Sequence, residues 1–166
     1  MKLSDLTETE RGRLAVAFHE AGHAVAAVLA GGRISEVVLT GDPETPGRCT
    51  YSGVSADAER GVTYAGAFAE VRHRHGPYPP LVEIRAALSG TCDGAELTAT
   101  GGLAREVEPM LSAVWPAVRF LAADLFRDGR AGHDAVLAAL GAASDADMPL
   151  IASLVRSKLW TAPSVA

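Results

Sequence analysis

The sequence predicts a mainly α domain of the α+β class, and three observations carry that prediction. One long apolar run, residues 14–30, has only His19, Glu20 and His23 as polar residues; a single region, residues 34–52, reads as strand; and the chain from Leu81 onward has helical character throughout. At 166 residues and 48% hydrophobic the chain can bury one real core, so a single domain over residues 1–166 is expected.

The first helix should begin at Thr7, whose hydroxyl can cap it while Glu10 completes a capping box, and should end at Gly31-Gly32. Ile34 to Thr40 alternates imperfectly but carries Ile34, Val37, Val38 and Leu39. Arg48 to Ser52 follows the turn-rich Gly41 to Gly47, so two short strands, a hairpin or part of a small sheet, are the economical reading. A second helix is expected over residues 57–75, closed by Gly76 and the breaker Pro77-Tyr78-Pro79-Pro80. Its Gly61, Ala65, Gly66 and Ala69 form a small-residue face that permits close approach to another helix, the first being the expected neighbour. Further helices are predicted over residues 81–88, 94–112 (kinked or divided at Pro109), 116–128 with Pro116 in its first turn, 133–141 and 147–160. Residues 161–166 read as a frayed tail, and no internal repeat is visible.

Composition excludes several classes of function. Fifteen basic residues against twenty acidic ones, with no basic run, argue against nucleic acid or an anionic membrane as partner. Cys49 and Cys92 lack CxxC spacing, so neither a disulfide framework nor a thiolate metal site is indicated, and a reducing compartment fits. The segment Met1 to Glu8 is polar and acidic where a secretory signal would be basic and then apolar. The run over residues 14–30 carries its polar residues at its centre and reads as a buried helix rather than a membrane segment. Cytoplasmic location is the resulting expectation.

Those polar residues are the chemically informative ones. In His19-Glu20-Ala21-Gly22-His23 the two histidines lie one helical turn apart, so both imidazoles can grip one ion. Glu20 sits one step around the helix, placed to take a proton from a water in an open coordination position and to pass it to a leaving amine. That is peptide-bond hydrolysis, with Zn2+ as cofactor. The pattern arises by chance about once in two hundred chains of this length, so context decides. Two imidazoles and a carboxylate inside an apolar helix need a partner, since burying them unpaired costs several kcal/mol.

Val16-Ala17-Phe18-His19-Glu20-Ala21-Gly22-His23-Ala24-Val25 resembles the metal helix of the M41 peptidases, the zinc protease domain of FtsH-type ATP-dependent membrane proteases. Tyr64 to Glu70 is similar to that family's G-G-R-A-A-E segment, and the region from Ser89 to Arg105 to its G-A-S-N-D-L…A-R stretch, so the resemblance covers about the first 107 residues. It implies a helical, zincin-like domain with a metal-site core over residues 7–107 and a C-terminal helical bundle extension over residues 108–160. It also implies a third ligand, an acid at the start of a helix some seventy-odd residues beyond the second histidine. Asp93 is the first choice; Glu96 is the rival, because aligning Leu103-Ala104-Arg105 with the family's L-A-R puts Glu96 in the slot, and Glu70 or no third protein ligand stays open. Homo-oligomeric rings are that family's habit, one that accompanies its motor. This chain has no phosphate-binding loop, and its only lysines are Lys2 and Lys158, so it binds no ATP in this reading and should act on flexible or unfolded segments.

The expected function is therefore a zinc metalloendopeptidase acting on a peptide or protein substrate. The alternatives are a catalytically inactive zinc-stabilised interaction module and a regulatory protease dedicated to one partner. Of the other candidates, His73 and His75 fall with Arg72 and Arg74 in a last helical turn, where the dipole favours positive charge and solvent satisfies the rings. His133 shares no spacing with the metal pair and is assigned no chemical role, Cys92 reads as a small buried hydrophobe, and Trp115 and Trp160 read as core anchors.

Overall fold

A capping box starts the fold. The Thr7 hydroxyl accepts from the Glu10 amide (3.2 Å) while the Glu10 carboxylate accepts from the Thr7 amide (2.8 Å), and α1 then runs over Glu8–Leu29. The computed structural model describes residues 5–163, so the part of the expected tail from residue 164 on lies outside the described residues. Twelve residues of α1 are buried, because it lies at the centre of the molecule with neighbours on several sides.

After α1 the chain turns at Gly31 (φ +87°) into β1 (Arg33–Leu39), which pairs antiparallel with β2 (Gly47–Ser52). A register irregularity between Ile34 and Glu36 explains the imperfect alternation of β1. It places the two buried residues of that strand, Ile34 and Val37, three apart instead of two. A third strand, β3 (Arg130–Ala131), pairs with β1 at Val37 and Val38, giving the order β2-β1-β3. The two-strand expectation is corrected here: β3 has only two residues, too few to leave a periodic signal.

α2 (Ala56–His75) packs along α1 through its small-residue face. A Cβ on Gly22 would lie 2.5 Å from the Ala65 carbonyl oxygen and 2.7 Å from the Ala69 Cβ, so the two helices meet at a distance only glycine allows. α3 (Leu81–Leu88) and α4 (Cys92–Ala99) follow, the latter capped by the Thr91 hydroxyl, which accepts from the Gly94 amide at 3.0 Å. The helix expected over residues 94–112 is broken. Gly101 and Gly102 adopt φ +109° and +93°, reversing the chain into a 3-10 turn (Arg105–Val107) before α5 (Glu108–Ala113), with Pro109 in its first turn instead of at a kink.

α6 (Trp115–Asp128), α7 (His133–Leu140) and α8 (Met148–Arg156) complete the fold. The last ends four residues short of the expected helix. α6 lies directly on α1 and also meets the sheet, and buried side chains from Ala17 to Val155 form one continuous core that includes the C-terminal helices. Trp115 stacks on Phe18 (5.6 Å between ring centres), and the Trp160 indole donates to the Leu140 carbonyl (3.0 Å). His73 is half-buried: its ring stacks on Phe18 at 3.9 Å, and burial together with Arg74 and Arg119 lowers its pKa. Cys92 is exposed, not buried. No single helix among the described residues is long and apolar enough to cross a membrane.

Candidate metal centre

α1 presents His19 and His23 on one face, with ring centres 4.7 Å apart and planes inclined by 74°. The α2 face opposite them is built on a four-residue repeat, Val62, Gly66 and Glu70. The His23 Nδ1 donates to the Val62 carbonyl (2.8 Å), and the His19 Nδ1 donates to the Glu70 carboxylate (3.1 Å). These two bonds occupy Nδ1 of both rings, so that once deprotonated each ring turns its Nε2 lone pair to the shared space, the arrangement that metal-binding histidines need. Glu70 is itself held by Arg74. Gly66 lies between, with no side chain to fill the space beside the two Nε2 atoms.

α4 supplies the third group. Asp93, in the first turn of that helix, brings its Oδ2 to 3.0 Å from His19 Nε2 and 3.2 Å from His23 Nε2, and the three donor atoms lie within 4.8 Å of one another. Among the described residues His19, His23 and Asp93 are the group that could hold a metal ion. Glu96 points elsewhere, accepting from the Thr63 hydroxyl at 3.1 Å, and Glu70 serves the far nitrogen of His19. The donor set suits zinc: two imidazoles, one carboxylate and an open side. Donors of a tetrahedral site with bonds of about 2.1 Å stand about 3.4 Å apart, near the 3.0 and 3.2 Å that separate Asp93 from the two histidine nitrogens.

Electrostatics are tuned around the same point. Burial works against a charged His19, yet the Asp93 and Glu70 carboxylates prevail and push its pKa up to about 10 in the metal-free protein. Asp93 is held well below the usual carboxylate range: burial opposes its charge, but its bonds to His19 and His23 outweigh that. Burial lifts the Glu20 carboxyl above its ordinary value, a shift that His23 and His19 partly offset. Glu20 is buried beneath the start of β2, where a Cβ on Gly47 would come within 2.6 Å of its Oε1.

An open cleft of about 740 Å³ passes over these groups. Its walls are β2 with the loop before it on one side, and the segment from Ala87 to Glu96 on the other. The size suits a peptide-sized ligand. β2 is an edge strand, paired only with β1, and so offers unpaired backbone groups beside the cleft. Sequence reasoning missed the Val62 carbonyl, since a backbone oxygen has no residue signature. It had Glu70 only as a ligand candidate, although the spacing of four from Val62 to Glu70 marks a single helix face.

The family profile described as Peptidase M50B-like matches residues 12–69, which span most of α1, the β1–β2 pair and most of α2. The match supports a metallopeptidase-like chain at that coarse level and includes His19, Glu20 and His23; it ends before Glu70 and Asp93. It also corrects the expected lineage: the similarity is to M50-type, not M41 or FtsH-type, peptidases. Neither a curated protein nor a solved structure matches significantly.

Proposed function

We propose that this chain is a zinc-dependent metallopeptidase that hydrolyses flexible or unfolded peptide segments, with His19, His23 and Asp93 as ligands and Glu20 as general base and then acid. The observation that carries the reading is the pair of Nδ1 hydrogen bonds, to Val62 and Glu70, which leaves both Nε2 atoms converging with Asp93 beside a buried glutamate. When bound, zinc supplies Lewis-acid polarisation of the scissile carbonyl and acidifies the attacking water.

The chain's own residues do the rest. A peptide adds to the free edge of β2, where backbone hydrogen bonds hold it extended along the cleft. Glu20, lifted by burial, takes the proton of the attacking water and delivers it to the departing amine. Glu70 and the Val62 carbonyl keep the two rings from turning as charge changes around them.

The test is metal content and turnover together. Purified protein should carry one zinc per chain, lost in His19→Ala and Asp93→Ala. Glu20→Gln should retain the zinc and lose hydrolysis of a labelled unfolded protein by about 10²–10⁴-fold. No zinc after reconstitution refutes the proposal; zinc without hydrolysis in the unaltered chain favours the interaction-module alternative.

A further inference from the structure

Glycine occupies several close contacts in this fold, and the atoms opposing each one differ in kind. At Gly22 a side chain would strike the Ala65 backbone and the Ala69 Cβ, neither of which can turn aside. At Gly66 the three nearest atoms are all imidazole atoms. An ideal Cβ there lies 2.3 Å from His23 Nε2, 2.6 Å from His23 Cε1 and 2.8 Å from His19 Nε2. A zinc ion sits about 2.0–2.1 Å from imidazole nitrogens. The Cβ that Gly66 lacks would therefore stand near ligating distance from His23 Nε2 and would crowd His19 Nε2 at 2.8 Å, inside the space the two donors share.

We propose that Gly66 is a metal-positioning residue, whose bare Cα keeps open the space in which both Nε2 atoms can face one ion. The inference rests on the zinc reading above. In the metal-free chain an added methyl group first meets the ends of two side chains, which can move aside by giving up their Nδ1 bonds, a loss that alanine, the better helix former, partly offsets. In the metal-bound chain the rings have no such freedom, because Nδ1 is tied to Val62 or Glu70 and Nε2 must meet the ion. Gly66→Ala should thus separate metal binding from folding. A glycine needed merely for helix packing would not.

The experiment is zinc affinity by competition with a chromophoric chelator, beside thermal melting in excess EDTA, for the full chain and for Gly66→Ala. Expected is a metal-free variant that still melts cooperatively, its melting temperature lowered by a few degrees at most, yet binds zinc weaker by at least the 10–100-fold, in order of magnitude, typical of lost support around a metal site. Unchanged zinc affinity overturns the inference, as does loss of the cooperative melting transition in EDTA, which would make Gly66 a packing residue. Absence of zinc binding by the unaltered chain is a different result: it removes the metallopeptidase reading itself, and this inference with it.

Discussion

Gly22→Ala tests whether the crossing of α1 over α2 organises both the fold and the metal centre. The new Cβ would lie 2.5 Å from the Ala65 oxygen and 2.7 Å from the Ala69 Cβ. Ordinary contacts between such atoms are about 3.5 Å or more, so the helices must part by about 1 Å. Overpacking of this kind costs about 1–3 kcal/mol, and the upper figure applies where the obstacles are backbone and Cβ atoms. Replacing glycine inside a helix returns about 1 kcal/mol, which leaves a net loss of about 2 kcal/mol. For a chain of this size that is a fall of about 4–8 °C in melting temperature, read by circular dichroism on the metal-free protein. The same displacement would stretch the His19–Glu70 and His23–Val62 bonds, now 3.1 and 2.8 Å, beyond useful range, so zinc affinity should fall too. A variant as stable as the parent with unchanged zinc affinity would refute the reasoning.

Glu70→Gln should weaken zinc binding by about 10–100-fold without unfolding the chain, because the ring of His19 loses its charged acceptor; chelator competition measures it. With a pKa raised to about 10, His19 lends the metal-free fold stability that is complete below pH 6.5 and lost as pH rises through about 10. Zinc requires the unprotonated ring, so affinity should strengthen with pH over that window. Near neutrality each ion bound should release about one proton, visible as a buffer-dependent heat in titration calorimetry, and a buffer-independent heat would contradict it. His133→Ala strands the Ile34 amide, which now donates to the buried ring, and also deprives Asp145 of its 2.6 Å partner; urea unfolding should show a loss of about 1–3 kcal/mol.

Local signals in the sequence carried far. Thr7 and Glu10 are three residues apart and need nothing beyond their own helix, so the start of α1 was legible to the residue. The HExxH spacing predicts that His19 and His23 share a face, and the small residues of α2 foretell its close approach. What failed were features set by distant partners or by backbone. The rescue of a charged His19 by Glu70, the acceptor on His23 and the pairing of β3 depend on residues far apart in the chain. The Gly101-Gly102 break was overlooked because the residues around it favour helix, although consecutive glycines at positive φ turn a chain sharply. The lineage was misjudged for a related reason: HExxH reports a chemistry, and the Ala- and Gly-rich segments that suggested M41 report little beyond close helix packing.

The central place of α1 has a consequence for how the chain is made. α1, with twelve buried residues, is synthesised before the elements that cover it, and α6, which closes one side of it, ends only at Asp128. Asp93, which lies 74 positions after His19, also emerges late. Until then a nascent chain displays a sticky, half-covered helix with two unsupported imidazoles. The hazard of aggregation is thus concentrated before α6 has left the ribosome, and a holdase would matter most in that interval.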